Sequence, residues 1–275
     1  MSSRTVRRRL LRVGEGRVQW RGDDLVAEEP LEIRIAGRPL AVTMRTPGND
    51  FELAVGFLLS EGVVESALQV QAIQTCSWKD TGEMNVLDVT LRGDAPQFDP
   101  GAARNFYTTS SCGVCGKASI SALRTRAQWD VRDDALRVSA SVLAALPSRI
   151  RDAQRVFERT GGLHAAGLFD AAGSLLCLRE DVGRHNAVDK VVGWAATAGM
   201  LPLRSHVLMV SGRASFELTQ KALMAGIPLL AAVSAPSSLA VELAEEVGMT
   251  VVGFIRDGGM NVYAGEQRVL AELPS

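Results

Sequence analysis

The sequence predicts an α/β protein: a regular C-terminal part built on a parallel sheet, preceded by a smaller β-rich N-terminal part. Three observations carry this. The C-terminal third alternates short apolar runs with helix-patterned segments. The N-terminal third places apolar residues at every second position. A chain of 275 residues, 47% hydrophobic and 22% charged, can bury a substantial core in an ordinary globular composition.

The elements follow in order. Arg4, Arg7, Arg8, Arg9 and Arg12 open the chain. A twin-arginine export signal needs an apolar stretch next, and Val13-Gly14-Glu15-Gly16-Arg17 is not one, so residues 1–15 are expected to form a solvated, disordered basic tail. The β-rich subdomain is expected over 16–105. Leu31, Ile33 and Ile35 alternate with polar neighbours, Gly37-Arg38-Pro39 turns, and Leu40, Val42 and Met44 alternate again, which makes a hairpin over 31–46. Asn49 or Asp50 caps a helix running to Glu61, with Phe51, Val55, Leu58 and Leu59 apolar, and Gly62 stops it. Leu87, Val89 and Leu91 mark another strand. Residues 95–104, rich in Pro, Gly, Asp and Ala, read as a linker, so the second domain is placed over 106–275.

That domain opens on a cysteine loop. Helices are expected over 117–128, 139–146 and 148–160, the last ended by Gly161-Gly162. Strands His164–Phe169 and 174–178 flank the turn Asp170-Ala171-Ala172-Gly173, and a helix follows over 186–198. Apolar runs at 206–210, 228–233 and 250–255 enclose helical segments at 214–225 and 237–247. Strand, helix, strand, helix, strand with short links means right-handed crossovers and a buried parallel sheet.

Composition excludes several classes. The net charge of −1 supplies no global field for nucleic acid or membrane, and no run approaches 18 uncharged apolar residues. Four cysteines in a chain of this size do not suggest a disulfide framework, and a cytoplasmic location fits.

The most chemical stretch is Ser110-Ser111-Cys112-Gly113-Val114-Cys115-Gly116-Lys117. A thiol at a helix start feels partly positive backbone N–H groups, which favour the nucleophilic thiolate, and Lys117 adds a cation. Gly113 and Gly116 let the backbone bend and leave the sulfurs uncovered. Four readings compete: a disulfide oxidoreductase, a zinc knuckle, ordinary turn cysteines, and a sulfur carrier holding a persulfide. Zinc needs two more ligands at close spacing, yet Cys76 and Cys177 stand alone and His164, His185 and His206 lack paired spacing.

Ligands of open parallel sheets sit beyond the carboxyl ends of the strands. The residues leaving those ends are Ser211-Gly212-Arg213, Ser234-Ala235-Pro236-Ser237-Ser238 and Arg256-Asp257-Gly258-Gly259-Met260-Asn261. Two of these loops lead into helix N-termini, and Arg213 and Arg256 can fork onto phosphate, so the edge reads as an anion site. Loops of this kind contain Gly, Ser and Pro in any case. The absence of G-x-G-x-x-G and G-x-x-x-x-G-K-[ST] argues against a standard dinucleotide or triphosphate cradle. A second polar cluster is Arg179-Glu180-Asp181-Val182-Gly183-Arg184-His185-Asn186, with Asn186 a helix-cap candidate and Glu180 and Asp181 candidate partners of arginines. His185 can bind a ligand or move a proton, and His164 is expected to face the same region. Zinc-dependent deamination requires H-x-E and P-C-x-x-C, whereas Ala165-Ala166 follow His164 and Ser111 precedes Cys112, so no metal site is expected.

Together, Ser111-Cys112-Gly113-Val114-Cys115-Gly116, Gly161-Gly162-Leu163-His164-Ala165-Ala166, the string from Glu180-Asp181-Val182-Gly183-Arg184-His185-Asn186 to Ala187-Val188-Asp189-Lys190, Ser211-Gly212-Arg213 and Phe254-Ile255-Arg256 closely resemble the formate dehydrogenase accessory sulfurtransferase family, FdhD, from about residue 30 onward. The resemblance implies a cytidine-deaminase-like three-layer α/β/α C-terminal domain without the zinc site. It also implies a sulfurtransferase that takes persulfide sulfur from a cysteine desulfurase and passes it to the molybdenum or tungsten bis(molybdopterin guanine dinucleotide) cofactor of formate dehydrogenase. Cys112 would carry the persulfide and Cys115 would assist. The cofactor-binding stretch maps onto Phe254, Ile255, Arg256, Asp257, Gly258 and Gly259, with Ser211, Gly212, Arg213, Ser234, His185 and His164 around it. The cofactor would be a client, with no tightly bound cofactor of the protein's own. The resemblance implies a homodimer, and the cysteine loop is expected to be exposed and mobile.

Overall fold

A computed structural model describes residues 3–14, 16–77, 85–93, 127–256 and 258–271. Cys112, Cys115, Asp257, the expected linker and nearly all of the expected helix over 117–128 lie outside the described residues.

The expected basic tail is instead a strand. β1 (Thr5–Gly14) pairs antiparallel with β2 (Arg17–Val26) along its whole length. The arginines mask a period-two pattern: Leu11 faces Trp20, Val13 faces Val18, and the Arg9 guanidinium lies 4.9 Å from the Trp20 ring centre.

Next come β3 (Glu29–Ile35) and β4 (Arg38–Arg45), the expected hairpin, with Ala36 and Gly37 both at positive φ in its turn. α1 (Asp50–Ser60) runs as expected and Gly62, at φ 67°, ends it. Asn49 does not cap α1 through its side chain, which instead accepts a hydrogen bond from Arg4 at 2.8 Å. β5 (Val70–Cys76) and β6 (Val86–Leu91) complete a four-stranded sheet of order β4-β3-β6-β5. β5 is an exposed edge strand, so its sequence carries no clear alternation.

The short strand β7 (Val138–Ser139) pairs with the distant β14 (Val269–Leu270). It leads into α2 (Ala140–Ala153), capped by Ser139 accepting the Val142 N–H at 3.2 Å. The break expected at Pro147 occurs at Gln154, where α3 (Arg155–Thr160) begins. Leu143, Leu146 and Ile150 bury one continuous stripe across the proline, so packing outweighs the lost backbone bond.

The remaining elements are β8 (His164–Phe169), β9 (Leu175–Asp181), α4 (Arg184–Thr197), β10 (Val207–Val210), α5 (Phe216–Met224), β11 (Leu229–Ala232), α6 (Ser238–Val247), β12 (Thr250–Arg256) and β13 (Gly259–Ala264). They build a six-stranded sheet of order β13-β12-β11-β10-β8-β9. β10, β11 and β12 are parallel, as expected, while β8 and β13 flank them antiparallel.

Helices cover both faces of this sheet. On one face, Ala166, Leu208, Val210, Leu230 and Val251 pack with Val188 and Val191 of α4, Leu218 of α5 and Leu243 of α6. The same cluster contains Leu53 and Leu58 of α1 and Leu31, Ile33, Leu87 and Val89 of the four-stranded sheet, so both sheets share one core. On the other face, Phe169, Val207, Met209, Leu229 and Val252 pack against Leu143, Leu146 and Ile150 of α2. No helix among the described residues is long and apolar enough to cross a membrane.

Candidate functional site at the strand ends

The carboxyl ends of β10, β11 and β12 are stitched together by backbone bonds that leave each strand and cross to the next loop. Ser234 N–H donates to the Gly212 carbonyl at 3.3 Å, and Phe254 N–H donates to the Ser234 carbonyl at 3.2 Å. Ser237 N–H reaches the Ala214 carbonyl at 2.9 Å. On the far side, Ser211 N–H donates to the Ala165 carbonyl at 3.0 Å, and Ala165 N–H returns to the Ser211 hydroxyl at 2.9 Å. Ser211, Gly212, Ser234 and Phe254 therefore form one row beside the start of β8.

Glycine sits where these loops crowd. A Cβ at Gly253 would meet the Ser234 carbonyl and Pro236 at 3.0 Å and Tyr263 at 3.2 Å, so a larger residue there would push β12 and the β11 loop slightly apart. The chain then turns through Phe254 at φ 53°. This left-handed position for a bulky aromatic is held by the bond to Ser234. Gly258 at φ 77° and Gly259 form the turn between β12 and β13 and are exposed.

His164 joins the row. It opens β8 opposite Asp181, and its Nδ1 would stand 3.4 Å from a Cβ at Gly212. Burial depresses its pKa, and the neighbouring Arg184 and His185 depress it further against the opposing effect of Asp181, which favours the neutral imidazole overall. His185 lies in the first turn of α4, with Nε2 3.7 Å from the Glu217 carboxylate in the first turn of α5. The facing His185 imidazole, at ion-pair rather than hydrogen-bond distance, is the main cause holding Glu217 at a pKa of about 2, against the opposing effect of burial. Helix starts of α4, α5 and α6 thus all open at the same sheet edge, where free N–H groups favour anions.

Arg213 and Arg256 stand exposed on this rim, and neither has a carboxylate partner among the described residues. Arg256 lies 5.5 Å from the centre of the Phe254 ring. Ile255 turns the other way: it is buried in the core beneath α2, so only its backbone belongs to the edge.

The second polar cluster is mostly framework, and the expected arginine partners of Glu180 and Asp181 are not the ones they take. Glu180 accepts the N–H groups of Val156 and Phe157 at 3.2 and 2.9 Å, capping α3. Arg179 makes a two-pronged pair with Glu52 of α1 at 2.5 and 2.7 Å. Asp181 pairs with a lysine, not an arginine: it is fully buried, receives Lys190 at 2.6 Å, and accepts the N–H of Thr46 at 3.1 Å and of Gly183 at 2.8 Å. Burial pushes the Lys190 ammonium down and Asp181 opposes it. Asn186 is not the helix cap. Gly183 occupies that position, and the Asn186 amide bonds the Met44 carbonyl at 2.8 Å and Asp181 at 3.1 Å. Within this cluster, Arg184 and His185 sit half-buried beside His164, whose pKa Asp181 also influences, in the opposite direction.

Glu217 escaped the sequence reading. An acid in the first turn of a helix is ordinary in sequence, and only its distance to His185 gives it a place here. Among the described residues, no three of His, Cys, Asp and Glu gather in a way that could hold a metal ion.

An open α/β protein with its polar loops collected at one sheet edge is the class that fold and site define. The FdhD/NarQ family model matches residues 26–270, and the chain belongs to that family. Relatives named "Sulfur carrier protein FdhD" include those of Streptomyces avermitilis, Mycobacterium tuberculosis and Thermoplasma volcanium. The first is 59% identical over 269 residues, covering 96% of this chain and 95% of the relative. The second is 53% identical over 275 residues, covering 98% and 100%. The third is 40% identical over 253 residues, covering 90% of each. Among solved structures, a formate dehydrogenase accessory protein from Desulfotalea psychrophila superposes with a TM-score of 0.73 at 21% identity, over 98% of this chain and 100% of that one. That likeness shows the fold.

Proposed function

We propose that this chain is a cytoplasmic sulfur carrier, acting as a sulfurtransferase in formate dehydrogenase maturation. A cysteine desulfurase loads Cys112, and the sulfur passes to the bis(molybdopterin guanine dinucleotide) cofactor, which is cargo and carries molybdenum or tungsten. The protein works as a homodimer, and its larger sheet belongs to the cytidine-deaminase-like type. The observation that carries this reading is the coexistence, in one chain, of the Cys112-Gly113-Val114-Cys115-Gly116 motif with a strand-end row of Ser211, Gly212, Ser234 and Phe254 under helix N-termini. The relatives' shared name supports it.

The chemistry balances at each step. The Cys112 thiolate attacks the outer sulfur of the desulfurase persulfide. The S–S bond to the desulfurase cysteine breaks, that cysteine leaves as thiolate, and Cys112 holds the new persulfide. Cys115 then attacks the inner sulfur of Cys112. The bond to the carried sulfur breaks, a Cys112–Cys115 disulfide forms, the sulfur leaves as hydrosulfide for the client, and an external dithiol reductant returns both cysteines to thiols before the next cycle. The guanine arms of the cargo bring phosphates, and Arg213, Arg256 and the helix starts suit them.

Intact-mass measurement after incubation with a cysteine desulfurase and cysteine tests the reading. The expected result is a gain of one sulfur atom, abolished by Cys112→Ala, which also removes formate dehydrogenase activity in cells that depend on the protein. Loss of two hydrogens in the wild type together with no sulfur gain in Cys115→Ala, where discharge by disulfide formation is blocked, would identify a C-x-x-C thiol–disulfide oxidoreductase. No covalent change at all would leave a non-catalytic chaperone that only holds the cofactor.

A further inference from the structure

The ribbon of β1 and β2 is anchored at its base and free at its tip. At the base, the Ala27 N–H donates to the Arg4 carbonyl at 2.9 Å, Arg4 reaches Asn49 at 2.8 Å, and Arg159 of α3 reaches Asp24 at 2.8 Å. A Cβ at Gly162 would touch Val26 at 3.1 Å, so the body closes tightly on the root of β2. Further out, among the described residues, the two strands pair only with each other.

The strand register sorts the tip into two faces. Leu11, Val13, Val18 and Trp20 fall on one face and are 44%, 71%, 65% and 60% exposed. Arg9 stacks on Trp20 on that same face. Arg8, Arg12, Arg17 and Arg21 fall on the other face, all exposed. A contiguous exposed apolar patch is uncommon on a chain that stays alone, and tryptophan and arginine are the residues most enriched where interfaces bind hardest. An isolated two-stranded ribbon is also marginal without a surface to lie on.

Charge selects the occupant. Residues 3–26 carry seven arginines against Glu15, Asp23 and Asp24, a net of +4; the whole chain stands at −1, which leaves −5 on the rest. Two arms of this chain repel each other, whereas an arm is drawn to the body of another copy. That body offers exposed apolar residues of its own, Val42 and Met44 on one face of edge strand β4 and Phe51 in the first turn of α1.

We propose that the β1–β2 ribbon is a dimerisation arm that lays its Trp20 face on the body of a second copy, each copy giving its arm to the other about a twofold axis. This rests on the homodimer of the preceding reading and assigns its surface. The arm lies ahead of residue 26, where the family model begins.

Sedimentation equilibrium of the full chain at micromolar concentration, in low and in high salt, tests it. The wild type is expected to be a dimer that weakens as salt rises. Trp20→Ala, and separately Arg9→Glu on the same face, are each expected to weaken association about tenfold or more. The thermal midpoint of the monomer should stay unchanged, because these side chains touch no core. A monomeric wild type overturns the proposal, as does a dimer whose association constant ignores both variants. Intact-mass loading with cysteine desulfurase on the same samples separates the two readings. A monomer that gains sulfur defeats the arm and keeps the carrier; a dimer that gains none keeps the arm and defeats the carrier.

Discussion

Arg213 and Arg256 illustrate what a single residue at the sheet edge can be asked to do. Both are exposed, both leave the end of a parallel strand, and neither has a carboxylate partner among the described residues. If the edge receives the guanine arms of the cofactor, each should make a charged hydrogen bond to phosphate. GDP binding measured by calorimetry is then expected to weaken by about 1.5–3 kcal/mol in Arg213→Ala and in Arg256→Ala. Unchanged affinity in both would place the nucleotide elsewhere. Ser211, Gly212 and Ser234 were legible from the rule that ligands collect at strand ends, Phe254 came from the family resemblance and His164 from its expected place beside that edge, and the backbone places them in one row. Glu180 and Asp181 were expected to pair with arginines, but one caps α3 and the other satisfies a buried lysine, and these partners are far away along the chain or hidden in a helix.

Between elements, the contact that sets the site's foundation is the crossing of α1 and α4. A Cβ on Gly56 would overlap the Asp189 carbonyl, and one on Gly193 would overlap the Glu52 carbonyl. The two helices approach backbone to backbone, and Glu52 of α1 also holds Arg179 near the end of β9, just ahead of α4. Gly56→Ala and Gly193→Ala are each expected to lower stability by about 3 kcal/mol in chemical denaturation, since overpacking a helix crossing forces the axes apart. A loss below about 0.5 kcal/mol would mean that the helices can separate freely. Nearby, Lys221 of α5 is buried between Asp189 at 2.9 Å and Glu61 at 3.2 Å. Burial works against its charge, but the two carboxylates outweigh that cost and raise its pKa, so α1, α4 and α5 are joined by a paired cation as well as by apolar contact.

Over the whole molecule, the expected division into an N-terminal subdomain and a C-terminal domain meets a shared core. Ile33 and Val89 of the four-stranded sheet belong to the same cluster as Leu208 and Leu230 of the six-stranded one. Denaturant unfolding is therefore expected to be a single transition, coincident by tryptophan fluorescence and far-ultraviolet circular dichroism. Two resolved transitions would show that the sheets melt independently. Local patterning was enough to read the β3–β4 hairpin, α1 and the alternating strands and helices from β10 to β12, because periodicity and turn residues act over a few positions. It was also enough to single out the Cys112 motif and the strand-end loops, whose chemistry lies in residue type. Tertiary structure decided the rest. β1 and β2 needed each other before arginine-rich segments became strands, β5 needed a partner edge, and α2 continued through Pro147 because Leu143 and Ile150 share one buried stripe. The assignment of Asp181 to Lys190 and of His185 to Glu217 depended on helices that meet only once the core has closed, and no spacing along the chain encodes such a distance.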